Sequence, residues 1–166
     1  HPRAVFPSAG SPEPLQNQLI HAVGDLKPRD LRGGGIVEID LVVDEFEGEA
    51  TCWTILGGVG SVEELRIPAR NFSGMGLRLL DVEKRLWSDF WVNAKSGVLT
   101  TPGTTGVFLD GTGTFVSDDM DGDKPIKVRG VWDRITPTSC RWHQALSYDD
   151  GKTWQGQWFM DWTRVS

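Results

Sequence analysis

The residues from Ser139 to Val165 restrict the fold more than any other stretch of the chain. Cys140, Trp142, Gln144 and Leu146 alternate with Arg141, His143 and Ala145; further on, Trp154, Trp158, Met160 and Trp162 oppose Gln155, Gln157, Phe159 and Asp161. A period of two is a strand signal, because successive side chains leave opposite faces of an extended backbone. Between the two runs, Asp149, Asp150 and Gly151 tolerate positive φ and hydrogen-bond their own backbone, so they mark a turn. The chain must accommodate a long antiparallel hairpin with one aromatic face.

The turn reads Ser147-x-Asp149-x-Gly151-x-Thr153-Trp154 and resembles the Asp-box hairpin of sialidase propellers, a folding device away from the catalytic centre. A propeller needs several four-stranded blades, which one such box in 166 residues does not supply. The motif therefore predicts a hairpin and not a glycosidase.

That length suits one domain with a real core, and the 20 glycines and 8 tryptophans among β-branched runs lean toward an all-β fold. A net charge of −6 argues against a nucleic-acid groove, which needs a basic face. No apolar run is long enough for a transmembrane helix, and the start lacks the apolar segment of a signal peptide, so a cytoplasmic protein without a membrane partner is expected. Cys52 and Cys140 lie in separate strand candidates without CxxC spacing; free thiols in a reducing compartment are expected. No metal or other cofactor is implied: the acidic stretch Ser117–Gly122 imitates an EF-hand loop but begins with serine, and its twelfth position is Val128.

Taken in order, residues 1–32 read as a Pro-rich arm followed by a short helix over Glu13–Gly24, where Leu15, Leu19, Ile20 and Val23 fall at helical spacing. Residues 33–166 read as the main domain. Ile36–Phe46 alternates as a strand, with a turn expected at Glu47-Gly48 and a second strand over Glu49–Leu56. Further strands are expected at Ser61–Ile67, Leu77–Asp81, Arg85–Ala94, Thr105–Leu109, Gly113–Ser117 and Lys127–Thr136. About ten short, hairpin-connected strands predict a single antiparallel up-and-down β-barrel, since closure removes exposed edges.

Gly58-x-Gly60-Ser61-Val62-Glu63-Glu64, Leu79-x-Asp81, Trp87-x-x-x-Trp91, Gly106-x-Phe108 and Gly113-x-Phe115 resemble the bacterial DUF1579-type proteins. So do Arg129-x-x-Trp132, Arg141-Trp142-x-Gln144, the Ser147–Trp154 turn, Trp158-x-Met160 and Arg164. The resemblance runs from about Gly33 to Arg164 and implies a lipocalin-like (calycin-type) barrel. Such barrels hold small apolar ligands, and some relatives are cofactor-free enzymes that cyclise, hydrate or isomerise a substrate.

A barrel of this size encloses room for one small ligand. The candidate lining is Trp53, Trp91, Asn93, Trp132, Trp142, Gln144, Trp158 and Met160. They suit a small hydrophobic or aromatic molecule, including a polyketide-like one. Glu63 and Glu64 face opposite ways, so one of them points inward. Glu64 is the candidate acid or base, with an ion pair to Arg66, Arg129 or Arg141 as the alternative. Arg129 either holds an anionic ligand group or partners Glu64. His143 lies outside if Trp142 faces inward; with the parity reversed it is the best general base in the chain. A small-molecule-binding barrel and an acid–base enzyme (cyclase, isomerase or hydratase) both remain open, and a homodimer is compatible with either.

Overall fold

A computed structural model describes residues 16–24 and 44–165. The first described stretch is strand β1 (Gln16–Gly24). Nine strands then follow as one up-and-down antiparallel meander. They are β2 (Asp44–Ile55), β3 (Gly60–Ile67), β4 (Phe72–Asp81), β5 (Leu86–Asn93), β6 (Thr104–Leu109), β7 (Thr112–Asp121), β8 (Lys124–Asp133), β9 (Ser139–Ser147) and β10 (Gln155–Arg164). The connections include two 3-10 turns, Leu56–Gly58 and Pro68–Arg70. The backbone of β1 is registered against both ends of the meander, with Gln18 opposite Ala50 of β2 and Arg164 of β10.

Two expectations need correction. The helical spacing over Glu13–Gly24 does not give a helix, because Gln16–Gly24 is a strand. Its Leu19, Ile20 and Val23 fit a helical face as well as a strand, and pairing on both sides supplies ladder bonds that a short isolated helix would lack. The turn expected at Glu47-Gly48 is also absent: β2 runs through it from Asp44 to Ile55, with Phe46, Gly48 and Ala50 buried on one face. The part of the expected Ile36–Phe46 strand that precedes Asp44, and the division at residue 32, lie outside the described residues.

The concave face of the sheet carries the aromatic core. Trp87, Phe115, Trp132 and Trp162 are buried together with Phe46, Leu65, Ile67 and Met160. Trp132 and Trp162 approach to 5.6 Å between ring centroids, and Phe108 meets Trp87 and Phe115 edge-on at 6.1 and 6.0 Å. Contacts of this kind add about 0.5–1.5 kcal/mol each beyond the area they bury. Glycines stand opposite several of these rings: Gly106 faces Trp87 and Phe115, and Gly113 faces Phe108 and Trp132. The missing side chain makes room for the ring across the strand.

The β9–β10 turn is tied by its own polar groups. Asp149 accepts from the Thr153 hydroxyl at 2.6 Å and the Thr153 amide at 2.8 Å, while Ser147 Oγ accepts from Gly151 N at 2.8 Å. Asp150 and Gly151 take the positive φ values, 60° and 86°. These bonds favour the charged carboxylate and hold Asp149 down from 3.8 to about 2. A carboxylate depressed on folding contributes stability above its unfolded value, which is lost as pH falls through the folded one. Urea melts at a series of pH values should thus show stability declining from about pH 4 toward pH 2. Asp149→Ala should be less stable at neutral pH and show a flatter acid limb; an unchanged limb would mean the turn is not held by this carboxylate.

Candidate functional site

Alternation along β3 puts Ser61, Glu63, Leu65 and Ile67 on the inward face and Val62, Glu64 and Arg66 outward. Glu63 is only 4 % exposed. Its neighbour across the strand pair is Gly76 of β4, and the space above that glycine is taken by the Arg78 guanidinium. Arg78, 6 % exposed, places Nη1 2.9 Å from Glu63 Oε2. Asp89 stands opposite Arg78 in register, its Oδ1 3.5 Å from Arg78 Nε. The guanidinium also lies 4.8 Å from the Trp132 ring centroid. Two carboxylates thus share one cation inside an aromatic wall.

Burial dominates the electrostatics of this group. Desolvation pushes the Glu63 carboxyl up, against the smaller opposing pull of Arg78. Asp89 is raised by the same cause, again opposed by Arg78, although a quarter of its side chain still meets solvent. Arg78 remains charged, because the fields of Asp89 and Glu63 outweigh its own desolvation. One guanidinium cannot fully compensate two buried anions, so the arrangement favours a proton on one carboxylate.

The two cysteines border this group. Cys52 is registered opposite Glu63, and burial, followed by the Glu63 charge, pushes its thiol up to about 12. Cys140 is pushed up to about 12 by the same two causes. Both are free, and thiols pushed this far up by burial are poor nucleophiles at neutral pH. Among the described residues no cluster of His, Cys, Asp and Glu is placed to hold a metal ion.

The expected site residues divide between the two faces. Trp91, Asn93, Trp132, Trp142, Gln144, Trp158 and Met160 face inward. Gln144 is registered between Gly130 and Trp158, and Trp142 between Trp132 and Met160. Trp91 stacks on Phe72 at 6.0 Å, while Asn93 accepts a bond from Lys95 N at 2.9 Å and so shapes the next turn. Trp91, Asn93, Trp142, Gln144 and Trp158 point inward yet are only half-buried.

The remaining candidates face outward. Glu64 keeps 54 % of its side chain exposed and pairs with Arg66 at 3.1 Å, not with Arg129. Together with Trp53, Met75 and Val92 it lines an outer cleft of about 300 Å³. Arg129 covers the outward ring of Trp154 at 4.2 Å. His143 stacks on Phe159 at 5.6 Å and holds Nε2 3.3 Å from Asp133 Oδ2. Among the described residues the inward charged groups include Glu63, Arg78, Asp89 and Arg164. A signal for Glu63 was present in β3: it shares parity with Leu65 and Ile67, whereas Glu64 shares it with Arg66.

No protein-family model matches the chain, and no curated protein is significantly similar to it. No helix among the described residues is long and apolar enough to cross a membrane.

Proposed function

We propose that the protein is a small-molecule-binding barrel. Its ligand is an apolar, aromatic molecule that enters between the half-buried Trp91, Trp142 and Trp158 and reaches the Glu63–Arg78–Asp89 group. That buried group carries the proposal. An ion cluster inside an aromatic core is rarely the most stable filling, since apolar residues of similar volume often do as well or better. Its retention beside open tryptophan faces fits a polar anchor for a ligand. The pairing of β1 with both β2 and β10 supports closure of the meander into a ten-stranded barrel, which gives the pocket its wall. The DUF1579-like motifs agree with such a lipocalin-like barrel, and the two free thiols agree with a cytoplasmic setting.

The raised carboxylates favour a second reading, a cofactor-free cyclase, isomerase or hydratase. A carboxyl group raised by burial is better suited to general acid catalysis than a free one, and such catalysis typically contributes about 10²–10⁴-fold. One experiment serves both readings: titration with indole, naphthalene and 1-naphthol, followed by tryptophan fluorescence and melting temperature. Binding should quench the fluorescence and stabilise the fold by about 2.7 kcal/mol at a ligand excess of 100 Kd. If no probe alters either signal, the pocket reading fails. Mass spectra of the incubated probes that reveal a new product would move the assignment to the enzyme.

A further inference from the structure

We infer that the polar end of the ligand is a carboxylate, received by the Arg164 guanidinium and the indole N–H groups of Trp132 and Trp162. The inference rests on the small-molecule reading above and adds the chemical class of the ligand. Its basis is a set of buried groups that lack partners. Arg164 Nε, Trp132 Nε1 and Trp162 Nε1 are buried on the inward face without a hydrogen-bond acceptor, whereas Arg78 Nε faces Asp89. Trp132, Trp162 and Arg78 are 5 %, 2 % and 6 % exposed, so bulk water does not serve them. Indole and guanidinium nitrogens only donate. Whatever completes this set must therefore accept.

The three donors form one neighbourhood with Arg78. The Arg78 guanidinium lies 4.8 Å from the Trp132 ring centroid, and that ring lies 5.6 Å from Trp162. Arg164 follows Trp162 by two positions on β10 and so shares its inward face.

Charge selects an anion over a neutral acceptor. Glu63 and Asp89 are both drawn to Arg78. Among the described residues no carboxylate pairs with Arg164. Among the described residues Arg164 is thus an inward cation without a carboxylate partner, beside two empty indole donors. A cationic ligand would leave the donors unsatisfied and meet carboxylates already engaged by Arg78. A carboxylate would fill the donors, and charge-assisted bonds of this kind are about twice as strong as neutral ones.

A matched series tests the idea: 1-naphthylacetate, 1-naphthylacetamide and 1-naphthylmethylamine, titrated calorimetrically into the full chain at neutral pH. The acid should bind at least about tenfold more tightly than the amide, and the amine should not bind. Arg164→Gln should remove most of the acid's advantage while leaving the amide's affinity within about twofold. If Arg164→Gln fails to fold, the salt dependence of the native protein replaces it. Affinity for the acid, but not the amide, should then fall as ionic strength rises. Equal binding of acid and amide, or preferential binding of the amine, would overturn the carboxylate assignment while leaving the pocket intact. If none of the three binds, the small-molecule reading falls and takes this inference with it.

Discussion

Arg78→Met is expected to destabilise the protein by about 3–5 kcal/mol, because it removes the partner of a carboxylate with almost no access to water. The side chain it replaces lies 2.9 Å from Glu63 and is itself almost fully buried. Methionine keeps much of the volume against Trp132, so the loss reports the stranded charge more than a cavity. The pH dependence gives the mechanism away. Glu63 already has a raised carboxyl in the native fold, and losing Arg78 raises it further. A carboxyl raised on folding contributes stability below its unfolded value, and that contribution is lost as pH rises through the folded value. The deficit of Arg78→Met should therefore be smallest in acid and grow toward neutrality in urea melts. Adding Glu63→Leu should recover a large part of it, since the unpaired charge is gone. A deficit of the same size at every pH, unrelieved by the second substitution, would mean that Glu63 carries no charge in the native protein.

The different fates of the sequence expectations follow from what alternation can and cannot encode. The C-terminal hairpin was legible because aromatic residues mark one parity of β9 and β10 over a long run, and because the Ser147–Thr153 turn fixes its own geometry. The strand meander was legible for the same reason. The N-terminal strand was not: Leu19, Ile20 and Val23 satisfy a helical stripe as readily as a paired strand, and only the neighbours β2 and β10 decide. The charged site failed at a finer level. Parity distinguishes Glu63 from Glu64 only when the flanking Leu65 and Ile67 are used to orient the strand. Arg78 has a further reason to be missed, since an arginine in a strand reads as a solvent-facing residue. What places it inside is Gly76, which leaves room for the guanidinium, together with Glu63 from the adjacent strand. Neither relation is local in sequence.

Gly106→Ala is the second large effect expected, about 1–3 kcal/mol of destabilisation by overpacking. A Cβ at this position would lie 2.4 Å from the Thr114 carbonyl oxygen and 2.5 Å from the Phe115 ring. The ring alone could rotate, but the carbonyl belongs to the β6–β7 ladder and cannot retreat without breaking it. On its other side Gly106 faces Trp87, in a β5–β6 seam registered only over Trp87–Asp89. Strain entering at Gly106 should therefore propagate through Trp87 and along the seam to Asp89. Gly130→Ala provides the contrast: the nearest atom to its Cβ would be Trp142 Nε1 at 3.4 Å, and its φ lies outside the positive range. At such a site the reduced freedom of the unfolded chain offsets the small steric cost, and stability should stay within about 1 kcal/mol of the parent. Thermal melts and near-ultraviolet circular dichroism compare the two variants directly. Gly106→Ala should melt lower and alter the tryptophan bands, while Gly130→Ala should do neither. Equal melting of the two would show that close approach of ring and backbone at the seam does not limit this fold.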